Sequence, residues 1–252
     1  MAERAAAARR RRRIQAAIGS AAALLLVVAG TVWLVAVSGD DEQKGSAEPA
    51  HALCVWNEVP NRTETTKDVG LPPNTHVPKS GTQIMSIDTN FGLVEVKIDL
   101  SETPCAAASF THLASHKFFD GTKCHRMFPG VLQCGDPSAK GEGYRETDGT
   151  GGPGYQFADE NLPVDELPPY PEGVVAMANS GPNTNGSQFF FIYQDVNLSP
   201  DYTVLGKIIS GLENIKKATE AGHDGAFEPQ PGGGHPKNDI EIKTLRMSPI
   251  MN

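Results

Sequence analysis

The sequence predicts a mainly β domain, a closed β-barrel capped by two α-helices, preceded by one transmembrane helix. Three observations predict it. Apolar runs of four to six residues recur between residues 83 and 245, bounded by Gly, Pro and Asn, as the strands of a small β-domain are. Two longer segments, 104–116 and 212–221, have the composition of helices. One stretch of 26 residues, Ile14 to Gly39, contains no Asp, Glu, Lys, Arg or His, and about 20 apolar residues span a bilayer as a helix.

The 252 residues suffice for one substantial domain plus extra segments. A hydrophobic share of 39% with 21% charged residues is that of a globular protein. The net charge of −8 is uneven. Residues 1–39 hold six Arg and one Glu, a net +5, which leaves −13 on the remainder. An acidic body excludes nucleic acid as the partner, because phosphate binding needs a basic face.

The elements follow in order. Arg9 to Arg13 precede the apolar span, and Asp40, Asp41 and Glu42 follow it. The positive-inside bias therefore puts residues 1–13 in the cytoplasm, the span at 14–39 and the rest outside. A cleaved signal peptide is the rival, but its apolar core is ~7–15 residues and ends in an Ala-x-Ala-like site. Val35-Ala-Val37 is a poor site, so a single-pass signal-anchor is the preferred reading. Residues 40–80 are acidic, then rich in Pro, Thr and Asn, and read as an extracytoplasmic linker. Within it Leu53-Cys54-Val55-Trp56 is an apolar island. The folded domain is expected over 81–252.

Four cysteines, Cys54, Cys105, Cys124 and Cys134, make no Cys-x-x-Cys pair, so neither a zinc site nor a thioredoxin-type motif is indicated. Outside the cytoplasm oxidation is permitted, and three full pairings exist. Cys54 is expected to pair with one of the other three and to hold Leu53–Trp56 against the barrel.

Gln83–Asp88 and Leu93–Ile98 alternate as half-buried strands around the turn Thr-Asn-Phe-Gly. Thr103 and Pro104 open a helix as N-cap and first helical residue. Short strands are expected over Lys123–Met127, Val131–Cys134, Val174–Ala178, Phe189–Tyr193, Val204–Ile208 and Ile240–Leu245. A second helix spans Leu212–Ala221. The loop between Ala178 and Phe189 holds four amide side chains, Asn179, Asn183, Asn185 and Gln188. Amides donate and accept, which suits the recognition of a peptide backbone.

That loop and its flanks, Met-Ala-Asn-Ser-Gly-Pro-Asn-Thr-Asn-Gly-Ser-Gln-Phe-Phe, resemble the signature of the cyclophilins, a family of peptidyl-prolyl isomerases. The resemblance covers 82–247. It includes Thr89-Asn-Phe-Gly92, Glu102-Thr-Pro104 with Phe110, His125-Arg126, Gln133-Cys-Gly-Asp136, Gly149-Thr-Gly-Gly152, Phe157-Ala-Asp-Glu-Asn161 and Tyr202-Thr-Val-Leu-Gly206. It implies an eight-stranded antiparallel barrel with a helix at each end and a site on its outer face. It also implies catalytic roles for Arg126, Gln133 and Gln188. Substrate contacts are implied for Val131, Leu132, Gly149, Ala178, Asn179, Ser180, Phe190, Leu198 and Tyr202.

The sequence departs from the family's pattern in three places. The segment between Arg126 and Gln133 is one residue shorter than in the best-known members, with Val131 and Leu132 where an aromatic and a Met usually line the pocket. The usual Trp near Leu198 is Asn197 or deleted. The usual His is Tyr202. An altered pocket rim and weak cyclosporin binding are expected. No cofactor or metal is implied: His112 and His116 lie four apart, but no Glu follows His112. The expected function is isomerisation of X–Pro bonds in extracytoplasmic polypeptides, as a folding assistant. The alternative is a catalytically weak module that binds Pro-containing segments.

Overall fold

The computed structural model of the chain describes residues 51–252. The expected cytoplasmic terminus (1–13), membrane span (14–39) and the first part of the linker lie outside the described residues. Among the described residues no helix is long and apolar enough to cross a membrane.

Thirteen strands and two helices follow in order among those residues: β1 (His51–Leu53), β2 (Asn57–Glu58), β3 (His76–Pro78), β4 (Thr82–Thr89), β5 (Gly92–Asp99), α1 (Pro104–Ser115), β6 (Thr122–Lys123), β7 (Arg126–Phe128), β8 (Val131–Cys134), β9 (Tyr155–Gln156), β10 (Val174–Met177), β11 (Phe189–Ile192), β12 (Val204–Ser210), α2 (Leu212–Thr219) and β13 (Glu241–Met247). Nine of the strands form one curled antiparallel sheet in the order β6-β13-β4-β5-β12-β10-β11-β8-β7. β1 pairs with β3 and β2 with β9 in two small sheets.

The expected closed eight-stranded barrel is corrected on two points. The strand foreseen over Lys123–Met127 is broken into β6 and β7, which raises the count to nine. The ladder also stays open, because β6 and β7 are its two edges and do not pair. The edges meet instead through the chain itself at Cys124–His125. There the Cys124 N–H donates to Ile240 O (2.9 Å) and the His125 N–H to Gln133 O (3.1 Å), one toward each end of the sheet. A Cys124–Cys134 disulfide ties this break to β8.

Strand alternation decides which side chains are inside. In β4, Gln83, Met85, Ile87 and Thr89 are buried and the residues between them are half-buried, the period-2 pattern of a strand with one covered face. These meet Val94, Val96 and Ile98 of β5 in the main core. α1 begins at Pro104, where a missing N–H costs nothing, and buries Ala106, Ala107, Phe110, Leu113 and Ala114 along one stripe. Phe110 stacks on Phe119 at 5.3 Å and meets Phe189 edge-on at 5.7 Å. Each such fully buried side chain contributes about 1.5–3 kcal/mol.

Thr103 does not cap α1 with its side chain. Its hydroxyl donates to Asp99 O and Leu205 O. Glu160 takes the capping role, accepting from the N–H groups of Cys105 (3.2 Å) and Ala106 (2.6 Å). Burial pushes the Glu160 carboxyl up to about 7, against the lowering effect of those two bonds.

Residues 51–80 differ most from expectation. The tether foreseen there is a packed strap. β1 and β3 pair within it, β2 pairs with β9, and Cys54, 1% exposed, is joined to Cys105 of α1. Trp56 sits edge-on to Tyr155 (5.7 Å) and Phe157 (5.6 Å). The physical reason is local: this polar segment carries a few apolar and cysteine anchors, and its backbone is satisfied by β9 and the loop before it. A boundary at 80/81 therefore runs through a packed unit.

Candidate active site

A row of side chains crosses the outer face of the curled sheet. Arg126 on β7 is opposite Gln133 on β8, Gln133 is opposite Phe190 on β11, and Phe190 is opposite Ala176 on β10. Residues directly opposite one another in antiparallel strands point to the same face. The sequence accordingly alternates in β11, with Phe189 and Phe191 in the main core and Phe190 and Ile192 in a second, smaller cluster.

That smaller cluster is an apolar patch on the outer face. Val131, Tyr170, Val174, Ala176, Phe190 and Ile192 are its buried residues, and Phe128, Leu198 and Tyr202 are among the half-buried ones packed on it. The Phe190 ring, 4% exposed, meets Tyr202 edge-on at 5.4 Å and Tyr170 at 6.2 Å. Tyr170 is locked by its hydroxyl, which donates to Tyr202 O (3.1 Å) and accepts from Tyr202 N–H (2.9 Å).

Arg126 stands at the edge of this patch, with its guanidinium 5.4 Å from the centre of the Phe128 ring. One Nη donates to the carbonyls of Pro231 (3.3 Å) and Gly232 (3.2 Å). The Nε–H is shielded from solvent and has no acceptor in the protein. Among the described residues no carboxylate forms an ion pair with Arg126. A permanently charged group thus lies beside an apolar cluster without a carboxylate partner.

Next to Arg126 runs a relay of amides. Gln133 donates to Gln188 (2.8 Å), and Gln188 donates to the carbonyls of Gly149 (2.8 Å) and Gly151 (2.9 Å). The glycine loop is held by the fully buried Asp136, which accepts from the N–H groups of Gly149 and Gly151 and from Ser138. Gly149 has φ +97°, a conformation L side chains rarely adopt. A Cβ at Gly151 would run into both Asp136 and the Thr65 carbonyl. Asn179 is fixed through Asp201 O (2.9 Å), the Ala178 N–H donates to Gln188 O, and the Ser180 N–H to Thr184. These groups line a cleft of about 430 Å³ that continues from the amide relay.

His125 lies beneath the glycine loop with neither ring nitrogen hydrogen-bonded to the protein. Burial pulls its pKa from 6.5 down to about 4, so the ring is neutral.

Of the expected contact residues, Leu132 is the one displaced. It is fully buried in the main core, because β8 alternates and Gln133 is on the outer face. The pocket is also less depleted of aromatic surface than Val131 suggests. Phe128 is directly opposite Val131 and fills that side. Phe128 and Arg126 are two apart on one strand, so the alternation carried this signal. Tyr170 had no local signal, since it reaches the pocket from a loop. Of the three open cysteine pairings, the structure has Cys54–Cys105 with Cys124–Cys134. Among the described residues no group of three His, Cys, Asp or Glu could hold a metal ion.

The family model for cyclophilin type peptidyl-prolyl cis-trans isomerases matches residues 84–247. The chain belongs to that family. A Mycobacterium leprae protein named "Probable peptidyl-prolyl cis-trans isomerase B" is 41% identical over 204 residues, covering 75% of this chain and 65% of its own length. The Mycobacterium tuberculosis protein of the same name is 41% identical over 202 residues, covering 74% and 61%. The chain thus spans somewhat under two thirds of these relatives. Among solved structures, a cyclophilin type peptidyl-prolyl cis-trans isomerase from Cryptosporidium parvum superimposes with a TM-score of 0.56 at 29% identity, over 67% of this chain and 98% of that one. A second structure of it, in the presence of the dipeptide Ala-Pro, gives 0.55 at 28% identity, over 66% and 99%. The curled mainly β sheet with two helices is therefore the cyclophilin fold.

Proposed function

We propose that this protein is a peptidyl-prolyl cis-trans isomerase that acts on Pro-containing, flexible polypeptides outside the cytoplasm, held at the membrane by residues 14–39. One observation carries the catalytic part: the guanidinium of Arg126, which makes no ion pair among the described residues, shares the outer face with Gln133 and the apolar cluster around Phe190.

Rotation about an X–Pro bond faces a barrier of roughly 18–20 kcal/mol, set by amide resonance. Twisting the bond returns the lone pair to the prolyl nitrogen. A donor there favours the twisted state over either planar one, which lowers the barrier. Arg126 supplies the donor. Phe190, Val131, Phe128, Leu198 and Tyr202 hold the ring in a dry pocket. Asn179, Gln133, Gln188 and the Gly149 region hold the neighbouring main chain, with Ala178 and Ser180 flanking it. No covalent bond is made or broken, so no nucleophile or cofactor takes part. The binding-module alternative rested on the Val131 side of the pocket, and Phe128 removes that support.

Two features support the location. The uncharged span follows a run of Arg, and the described domain carries two disulfides, which persist in oxidising compartments. The test is the isomerisation rate of X–Pro peptides with the full chain in detergent. Acceleration is expected, and binding without acceleration would instead establish the module. Protease added outside intact cells should digest residues 51–252; their protection would place the domain inside.

Cyclosporin should inhibit weakly. Asn197, exposed next to Leu198, replaces an aromatic with far less apolar area to bury. Losing part of about 150–250 Å² at ~25 cal/mol per Å² weakens binding by a few kcal/mol. An inhibition titration with nanomolar potency would overturn this.

A further inference from the structure

Arg126 makes no ion pair among the described residues, so its placement rests on what else it touches. One Nη donates to the carbonyls of Pro231 and Gly232, both in the loop between α2 and β13. We infer that Asp224, aided by Glu228, is a positioning residue for the isomerisation: the two carboxylates fix this loop, and the carbonyls of the loop fix the Arg126 guanidinium. This deepens, and rests on, the isomerase reading above.

The loop needs such fixing. Glu228, Pro229, Gln230 and Pro231 are exposed, so no core holds its tip. Gly232, Gly233 and Gly234 follow in a row, and glycine has the most backbone freedom to lose. Those glycines let the loop lie close on β7: a Cβ at Gly233 would strike the Met127 carbonyl and the Phe128 Cβ. The Met127–Gly234 backbone bonds seat only the far end. The carboxylates hold the rest. One Asp224 oxygen accepts from the N–H groups of Ala226 (2.9 Å) and His235 (2.8 Å), and the other pairs with His235 Nδ1 (3.0 Å). Asp224 thus ties the two ends of the loop together. Glu228 accepts from the Gly233 N–H (2.8 Å) and draws the tip back over the glycines. The His235 ring is itself held, stacked on Tyr144 at 4.3 Å and edge-on to Phe227 at 4.7 Å.

Hydrogen bonds to an ionised acceptor are the stronger kind, and every bond of Asp224 among the described residues goes to this loop or its end at His235. Asp224 and Glu228 are exposed. Their bonds therefore order the loop and add little to the core. Arg126 is where that order matters. A group that must meet a reacting atom loses up to about 10²-fold in rate when it is misplaced by about 1 Å. The substrate's ring and main chain are held by other elements, Phe190 on β11 and Asn179 and Gln188 in the loop between β10 and β11. Loosening the Asp224 tie should therefore reduce turnover and leave binding nearly intact. Glu228 makes one such bond where Asp224 makes three, so its effect is the smaller.

The experiment uses the full chain in detergent. It measures kcat and KM on X–Pro peptides, and the order of the Arg126 Nε–H by NMR relaxation. Asp224→Ala should lower kcat by about fivefold or more, with KM within about twofold, and should reduce the order at Arg126. Asp224→Asn, which still accepts from both N–H groups, should keep about half of the native kcat. In an Arg126→Ala background, Asp224→Ala should change the residual rate by less than about twofold, because its effect passes through the guanidinium. Asp99→Ala is the control: it removes a carboxylate that accepts from Ser101 at the end of β5, and it should leave kcat native. A native kcat in Asp224→Ala, a loss confined to KM, or a loss equal with and without Arg126 would overturn the inference. So would an equal loss in Asp99→Ala, which would mark general loosening. A native chain without turnover would end the isomerase reading instead. The NMR measurement then decides: lost order at Arg126 in Asp224→Ala upholds the positioning, and unchanged order ends it.

Discussion

The two faces of the curled sheet use the same residues for different ends. On the inner face Phe189 and Phe191 are fully buried among residues of both helices and the opposite strands. On the outer face Phe190, between them in sequence, belongs to a smaller cluster with Val131, Tyr170, Val174, Ala176 and Ile192, with Tyr202 and other half-buried side chains packed on it. The inner cluster is closed on all sides and gives stability. The outer cluster is smaller and lies beside Arg126, a cation with no ion pair among the described residues. The difference is one residue of strand phase.

Substitutions at adjacent positions should separate the two roles. Phe191→Ala should cost the most stability, about 3–5 kcal/mol, since the surrounding core collapses only partly around the lost ring. Phe190→Ala should cost less, roughly 3 kcal/mol at most, because its ring packs in the smaller of the two clusters. It should also depress turnover of whatever protein stays folded. Denaturant melts with isomerase assays measure both. Equal stability losses with turnover intact in both variants would break the distinction between the faces.

The strap can be released by removing its anchor. The Cys54–Cys105 bridge closes a separation of 51 residues against 10 for Cys124–Cys134. Chain entropy gives about 4 kcal/mol for the first and about 3 for the second. Replacing Cys54 and Cys105 by Ser should therefore lower the denaturation midpoint more than replacing Cys124 and Cys134. Arg126→Ala should lower kcat/KM by roughly 10²–10³, the range for losing one donor that acts at the transition state. Its melting temperature should stay close to that of the native chain, because the side chain carries no ion pair. An unchanged kcat/KM would remove Arg126 from the mechanism.

The smallest net effect is expected from pH. Burial lowers His125 from 6.5 to about 4. Between those values the unfolded chain binds a proton the folded chain refuses, so stability is lost as pH falls from 6.5 through 4. Burial raises Glu160 from 4.5 to about 7. Its contribution is present below 4.5 and is lost as pH rises through 7. The two run in opposite directions at about 3 kcal/mol apiece, so the native melting temperature should be nearly flat from pH 4.5 to 6.5. Glu160→Gln should uncover a rise with pH across that window. A flat profile in the variant would place a proton on buried His125.

The strong periodic elements were legible in the sequence. Val131–Cys134 has the expected limits, and β4, β5, α1 and β11 lie within a residue or two of theirs. Alternation and Pro at the helix start act over neighbouring residues, so a sequence displays them. Arg126, Gln133 and Phe190 were legible only through their resemblance to a family, because strand order, which aligns them, is set by long-range pairing. The strap was not legible. Its strands are two or three residues long, and what holds it is a bond to a cysteine 51 positions away. Leu132, implied as a contact by the family resemblance, falls on the inner face because strand phase sets it between Val131 and Gln133.

The open ladder also bears on solubility. A sheet with two edges offers rows of unpaired backbone groups, the usual template for aggregation. Here both edges are occupied from within. The Lys123 N–H on β6 donates to Ala139 O (2.7 Å), and on β7 Met127 exchanges both backbone bonds with Gly234 (2.8 and 3.0 Å). A protein proposed to handle unfolded, proline-containing chains meets partners eager to add a strand. With its rims capped by its own loops, the sheet presents such chains with side chains to bind and little backbone to extend.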